Sequence, residues 1–581
     1  MAAGFYKTLG NLPRWSNLSS ASFWTDLPVG LAGLALFYGL IALTHYWTAP
    51  VHPQTQIDLS PSALPVYALF SVARITIAYA LSLALSLIYG YVAAHNAKAE
   101  RLMIPLLDTL QSIPVLCFLP GVMLSMVALF PATQFGLELG SILLSFTGQV
   151  WNMAFSIYSS LKGIPREMME AARLYRLSWW QRFVQLELPY TAIGLIWNSM
   201  MSVAGGWFAL MVCEMFVLGN RDLRLPGLGS YLQTASNTGD TRAIAWGLFV
   251  MIAVIVLIDQ LIWRPVIAWS DKFKFEQVEA GEKISSPVLS LLRRSKLLSH
   301  TTRLFIAPAR EAVTLHFARK ADSRPKHQDN QAASLAMRAL FMFALVGLLY
   351  AIGQMSIMLT KISSAELRQI FWGAGATFLR VELTLGLAAL WTVPVGVIVG
   401  LKPKLAAIAQ PIAQIAASVP APALFPIVLL ILIRAGGGLG IASIILLLLG
   451  TQWYILFNVI AGASAIPADL QEVCRIFGLS QLQRWRKLLL PAIFPYLLTG
   501  FVTASGGAWN ASIIAEYFRF RGQTFSITGL GAVISRATDA GNFPVLLAAT
   551  IVISAMVVTV NRFLWRRLYG LASTKYKLEV A

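Results

Sequence analysis

The sequence predicts an all-α, polytopic membrane protein: about twelve transmembrane helices arranged as two parallel six-helix repeats. Three observations predict it. The 581 residues are 57% hydrophobic and only 12% charged, whereas soluble domains carry about twice that charged fraction. Apolar stretches of roughly 20 residues recur along the whole length, enough to cross a ~30 Å hydrocarbon core as helices, and the alternating segments of a membrane β-barrel are not seen. A polar, helix-forming segment occurs twice, with Glu170 and Glu472 at equivalent places 302 positions apart, each time between two long apolar stretches.

In order along the chain, a polar and aromatic segment (1–26) precedes spans expected near 27–47, 67–94, 104–130, 136–161, 190–218 and 243–269. The first stretch is too long for the apolar core of a cleavable signal peptide. A basic connection, 270–334, follows. Its residues 270–333 hold 12 Lys/Arg against 7 Asp/Glu. Within it Leu289–Phe305 mixes leucine pairs with Arg293, Arg294, Lys296 and Arg303, as either a basic amphipathic segment on an anionic leaflet or a plain charged linker. The second repeat has spans expected near 335–360, 371–400, 405–433, 437–462, 492–518 and 543–568, then a tail, 569–581. The repeats are thus 27–269 (core 67–269) and 335–568 (core 371–568).

Orientation follows from the Lys/Arg bias of cytoplasmic loops. The loops 48–66 and 131–135 contain neither residue, whereas 162–189 carries Lys162, Arg166, Arg173, Arg176 and Arg182 and the end of the last span with the tail carries Arg562, Arg566, Arg567, Lys575 and Lys577. Both termini and both repeated polar segments are therefore expected in the cytoplasm. The net charge of +19 is accounted for by such loops and gives no reason to expect nucleic acid.

The halves align beyond the loops. Arg74 pairs with Arg380, and Ser112-Ile113-Pro114 with Ser418-Val419-Pro420, at an offset of 306; Pro226-Gly227-Leu228-Gly229 pairs with Thr528-Gly529-Leu530-Gly531 at 302. Six spans per repeat is an even number, so both repeats point the same way, related by an axis along the membrane normal.

The polar segments read Gly163-Ile-Pro-Arg-Glu-Met-Met-Glu170-Ala171-Ala172-Arg-Leu-Tyr-Arg176 and Ala465-Ile-Pro-Ala-Asp-Leu-Gln-Glu472-Val473-Cys474-Arg-Ile-Phe-Gly478, each followed a dozen residues later by Leu-Pro (188–189, 490–491). Pro165 and Pro467 suit a helix start, Gly478 a helix end, and Leu-Pro the restart of a span. With the early arginines, the Ser-x-Pro breaks and the Gly-Leu-Gly after the fifth span, the chain resembles the binding-protein-dependent ABC importer permeases, in particular the nitrate/sulfonate/taurine/bicarbonate branch, in a duplicated, fused form. It departs from the family where Arg176 stands in place of glycine and where Val473-Cys474 replaces Ala-Ala. The resemblance implies the type I ABC importer permease fold and a bacterial inner-membrane location. It also implies a small-anion substrate, two separate ATPase subunits docked on the coupling segments and carrying ATP and Mg, and a periplasmic substrate-binding protein; membrane lipids surround the spans.

Ionisable groups inside spans are costly and face a partner or a water-filled path. Arg74 and Arg380, with Glu214 and Glu516, either brace helices within each half or line an anion pathway. Ser112, Pro114, Ser418 and Pro420 mark helix breaks that expose carbonyls to a path or simply kink the helix. Arg221, Arg224 and Arg242, with Arg519, Arg521 and Arg536, depart from the positive-inside trend and make an electropositive outer entrance.

No phosphate-loop motif, H-E-x-x-H or paired-cysteine motif occurs, and the three cysteines lie far apart, so no ATP site, metal site or cofactor is expected in this chain and it is not expected to be an enzyme. Two other readings stay open at this stage: an ion-coupled secondary transporter using Asp108, Asp259 or Glu382, and a non-transporting membrane scaffold or sensor.

Overall fold

A computed structural model describes residues 47, 56–218, 221–273, 286–308, 311–312, 331–434, 438–520 and 522–575. Nearly all of it is helix. The first half runs through α1 (Leu64–His95), α2 (Ala97–Ser112), α3 (Leu119–Leu129), α4 (Phe135–Lys162) and the short α5 (Arg166–Leu174). The long α6 (Trp179–Glu214) follows, then a two-stranded hairpin of β1 (Val217–Leu218) and β2 (Arg221–Asp222), α7 (Leu228–Thr238) and α8 (Thr241–Ser270). Two connecting helices, α9 (Pro287–Arg294) and α10 (Lys296–Thr301), come next. The second half repeats the order with α11 (Gln331–Leu359), α12 (Ser364–Gly400), α13 (Pro403–Ser418), α14 (Ala421–Arg434), α15 (Leu439–Ser464) and the short α16 (Ala468–Ile476). It closes with α17 (Gln481–Ala515), the hairpin of β3 (Tyr517–Phe520) and β4 (Gln523–Ser526), α18 (Leu530–Ala540) and α19 (Phe543–Ala572).

The chain divides into two compact units. Of the described residues, one holds 159–197 and those within 257–312; the other holds 56–158 and those within 198–256 and 331–575. Within the second unit the two sequence halves interlock reciprocally: α7 meets β3 while α18 meets β1. The core there is built from small and aliphatic side chains of α12, α15 and α17, including Ala388, Leu447, Ile455, Ala504 and Ala508, and such small residues let helices approach closely. Gly396 makes one of these approaches: a Cβ there would meet Val459 Cγ1 at 2.7 Å.

Seven described helices are long and apolar enough to cross a membrane, or nine if each of two sharply bent pairs counts as one span. The expected twelve is not reached among the described residues. The stretch expected at 27–47 lies outside them except for Trp47. The stretch at 136–161 is α4, which holds Glu138, Gln149 and Asn152 within its length. The stretch at 335–360 falls in α11, apolar in the main from Ala339 to Leu359, which is not among the seven.

The stretches expected at 104–130 and 405–433 are not straight spans. They are helix pairs bent by 84° and 87°, and the bends fall on Ser-x-Pro. Ile113 and Val419, each before a proline, are extended (ψ 128 and 119), because the proline ring excludes the helical region for its predecessor.

The fifth and eleventh spans begin earlier than expected. Leu188-Pro189 and Leu490-Pro491 do not restart a helix but lie inside continuous helices that open at Trp179 and Gln481. A π-helical turn precedes each proline, Phe183–Glu187 and Trp485–Leu489. The missing proline N–H is thereby absorbed by local rewinding rather than by a break. Both helices start with the same capping box, Ser178 with Gln181 and Ser480 with Gln483. Sequence analysis overlooked this S-x-x-Q pair although it recurs at the offset of 302.

Candidate functional sites: two repeated polar helices and two buried ion-pair nodes

Each polar segment folds as a nine-residue helix, α5 and α16. Pro165 and Pro467 sit at the N-cap, one position before the first helical residue. An acid in the first turn (Glu167, Asp469) and a base in the last (Arg173, Arg475) both complement the helix dipole. Each helix ends in a Schellman motif. Leu177 N–H donates to Ala172 O and Arg176 N–H to Arg173 O; Leu479 N–H donates to Cys474 O and Gly478 N–H to Arg475 O. The residue at the turn is left-handed in both, Gly478 at φ 58 and Arg176 at φ 49.

Glu170 and Glu472 are exposed, Ala171 is half-buried, and Ala172 and Cys474 turn inward and are buried. The second small residue of the motif is therefore the one that seats the helix. The Tyr190 hydroxyl donates to Gly163 O at 2.9 Å, tying the first segment to α6. The most exposed apolar groups of these two helices' ends, not singled out from sequence, are Leu174 and Tyr175 (83% and 64% exposed) and Ile476 and Phe477 (both 76%). Their adjacency at the helix end was legible, but their exposure depends on the Schellman turn. Beside α16 lies a cleft of about 430 Å³ lined by Gly400, Ser464, Gln471, Glu472 and Arg475 among others.

The buried arginines form two nodes of the same construction. Arg74 Nη1 donates to Glu214 Oε1 at 2.7 Å and to Pro226 O at 2.8 Å. Ser71 Oγ donates to Glu214 Oε1 at 2.7 Å and Gly229 N–H to Glu214 Oε2 at 2.8 Å. In the second half Arg380 Nη1 contacts Glu516 Oε1 and Nη2 donates to Thr528 O at 3.1 Å. Thr377 Oγ1 donates to Glu516 at 2.7 Å and Gly531 N–H at 2.8 Å. Each carboxylate thus caps the short helix after the hairpin, where N–H groups and the dipole favour an anion.

The Gly-Leu-Gly sequence has its reason here. Gly227 and Gly529 are extended (φ 178 and 176), a backbone open to any residue. A Cβ, however, would lie 2.3 Å from Glu214 Cδ and 2.2 Å from Glu516 Cδ.

The nodes differ in charge. Arg74 Nε and Nη2 each donate to Glu138 at 2.6 Å, one to each oxygen. The first node therefore holds one cation and two carboxylates, none of them more than 1% exposed. Glu138 was not singled out from sequence. It has no acidic counterpart in the second half, where the aligned position is Gly440, so repetition gave no signal.

The six arginines expected at an outer entrance are not equivalent. Arg224 is paired with Asp222 at 2.6 Å. Burial alone would raise the Asp222 carboxyl, but the Arg224 hydrogen bonds hold it below the usual range. Arg519 is paired with Asp539 at 2.6 Å, and Arg536 Nε donates to Ala532 O at 3.2 Å. Arg242 is exposed at the start of α8. Arg521 and the side chain of Arg221 lie outside the described residues, as does the side chain of Ser112. Ser418 Oγ donates to Gln414 O at 2.9 Å, and Pro114 and Pro420 are buried at the bends. The segment after the first bend reaches across: Leu116 and Cys117 join the core of the second half. Among the described residues no group of His, Cys, Asp or Glu could hold a metal ion.

A duplicated bundle of apolar helices, each half with one short polar helix, one bent helix pair and one buried arginine–glutamate node, defines a polytopic membrane protein built from two copies of a single unit. The chain belongs to the family of binding-protein-dependent transport system inner membrane components, which it matches twice, over 82–262 and 392–568, more than half its length. It is 30% identical over 194 residues to the bicarbonate transport system permease protein CmpB of Synechococcus elongatus, covering 33% of this chain and 66% of that protein. To the nitrate import permease protein NrtB of Leptolyngbya laminosa it is 29% identical over 192 residues, covering 33% of this chain and 65% of that one. To the putative aliphatic sulfonates transport permease protein SsuC of Bacillus subtilis it is 23% identical over 208 residues, covering 35% and 70%. Each similarity takes in about a third of this chain.

Proposed function

We propose that this chain is the permease subunit of an ABC importer and supplies both halves of a translocation pathway for a small anion. The observation that carries the reading is the pair of coupling helices, α5 and α16. They are alike in cap, dipole complement and Schellman end, and each presents two exposed apolar side chains with an exposed glutamate. Two such surfaces on one chain fit two copies of one soluble partner, the ATPase subunits that bring ATP and Mg. Leu174, Tyr175, Ile476 and Phe477 serve as the apolar anchors of each contact, and Glu170 and Glu472 as its charged rim. The relatives named for bicarbonate, nitrate and sulfonate support the anion class.

The arginine–glutamate nodes brace α1 and α12 to the hairpin ends, so that each half moves as a rigid body when the partners close. The coupling helices, both termini and the 270–334 connection lie in the cytoplasm of a bacterial cell, and a periplasmic binding protein delivers the substrate.

Reconstitution with cognate ATPase subunits and a binding protein tests this. ATP-dependent uptake of bicarbonate, nitrate or a sulfonate is the expected result. Uptake of an anion driven by an ion gradient without any ATPase would overturn it.

A further inference from the structure

Residues 286–308 include Arg293, Arg294, Lys296 and Arg303 and no Asp or Glu. They fold as helices capped by serine: Ser286 Oγ accepts from Leu289 N–H at 3.2 Å and Ser295 Oγ from Leu298 N–H at 3.3 Å. In α9 the 3.6-residue period puts Val288, Leu291 and Leu292 on one side and Ser290, Arg293 and Arg294 on the other. The first group is half-buried and the second exposed. Further on, His300 and Arg303 are exposed together with Leu298 (38%) and Leu304 (55%). Among the described residues no ion pair involves Arg293, Arg294 or Arg303.

The position of the segment is fixed by its neighbour. α9 packs against the last two turns of α8, Arg264–Ser270, where a membrane-crossing helix ends. Trp269 stands there with the Lys272 ammonium 4.1 Å from its ring centre, an aromatic–cation pair of the kind that marks the membrane–water interface. Burial, and then the like charge of Arg293, pull the Lys272 amine below its ordinary range, so positive charge is gathered across the junction of α8 and α9.

We propose that residues 286–308 bind the anionic headgroups of the lipid leaflet at the end of α8, and so tie the junction of the two halves to the membrane surface. A basic helix with exposed leucines suits a headgroup layer, which takes the cations at phosphate depth and the apolar groups a few ångström below. A nucleic acid or an acidic protein would satisfy the arginines and leave Leu298 and Leu304 in water. The inference rests on the membrane placement of the chain and not on its being an importer.

The full-length chain in nanodiscs tests it, with backbone hydrogen exchange read over 286–308. Exchange is expected to be slower in discs containing phosphatidylglycerol than in pure phosphatidylcholine, by roughly five-fold for each arginine engaged. High salt should erase the difference. In R293Q/R294Q/K296Q/R303Q the difference should vanish while exchange in α5 and α15 stays as in the wild type, which separates loss of lipid contact from misfolding. Equal exchange in the two lipids, a lipid dependence that survives in the variant, or protection that arises only when a soluble protein partner is added would each overturn it.

Discussion

Arg176 and Gly478 stand at the same turn of the two repeated polar segments and share a left-handed backbone, at φ 49 and φ 58. Glycine takes this conformation freely, whereas a residue with a Cβ does so at a cost of roughly 1–2 kcal/mol. The first segment therefore keeps its Schellman turn against its own residue type. The hydrogen bonds to Ala172 and Arg173 offset the strain.

Arg176→Gly is accordingly expected to stabilise the first segment by about 1 kcal/mol, and Gly478→Ala to destabilise the second by a similar amount. No atom lies within 4 Å of a Cβ added at 478, so the second cost is backbone strain alone. Hydrogen exchange in 166–177 and 468–479 of the purified protein reads both. Opposite signs in the two variants are required.

Replacing Gly227 or Gly529 with Ala should be severe. Each Cβ would fall within 2.5 Å of a buried carboxylate carbon whose arginine and helix-cap hydrogen bonds would have to break. Loss of a buried ion pair's geometry costs about 3–5 kcal/mol, enough to abolish folded yield in detergent. Normal yield and an unchanged melting temperature in either variant would show that the node can shift aside.

The two nodes should respond differently to loss of the arginine. Arg74→Met leaves two buried carboxylates facing each other, Arg380→Met only one. The first should be the more damaging, and Glu138→Gln should partly rescue it because one unpaired charge is removed. Thermal unfolding of the three single variants and of the R74M/E138Q double variant provides the measurement. Simple additivity would mean that Glu138 acts independently of Arg74.

For docking, Tyr175→Ser with Leu174→Ser, and Phe477→Ser with Ile476→Ser, should each weaken ATPase binding by about 2 kcal/mol or more. Glu170→Arg and Glu472→Arg, on the rim, should act mainly on association rate and its salt dependence. Co-purification and titration with the ATPase check both. Apolar variants that bind normally would move the contact elsewhere.

At the entrance, Arg242→Gln should lower the rate of anion uptake and flatten its dependence on ionic strength. Arg224→Gln should act by releasing Asp222. The folded-state pKa of Asp222 lies below its ordinary 3.8. The contribution of this pair is therefore present above about pH 3.8 and is lost as pH falls through the lowered value. Protease susceptibility of the 217–227 hairpin, followed against pH, should show that step in the wild type and not in R224Q.

Much of this was legible in the chain. Composition fixed the solvent as lipid, because apolar stretches of such length have few other stable fates. Duplication fixed the two short polar helices, since such a helix between spans is a local matter of proline, dipole and cap. Repeat matching also picked out Arg74 with Glu214 and Arg380 with Glu516 as charges that need company. The tertiary structure decided what local signals leave open. Whether Ser-x-Pro kinks a span or folds it back by more than 80°, and whether Leu-Pro ends a helix or is absorbed by a π turn, depends on what packs beside the freed backbone groups. That Glu138 completes the Arg74 node, and that Gly227 and Gly529 are glycines for want of space rather than for a special φ, follows from distances between residues 64 and 13 positions apart. Side-chain charge is written in the sequence, but the partner that neutralises it in a low-dielectric interior is chosen only when the helices assemble.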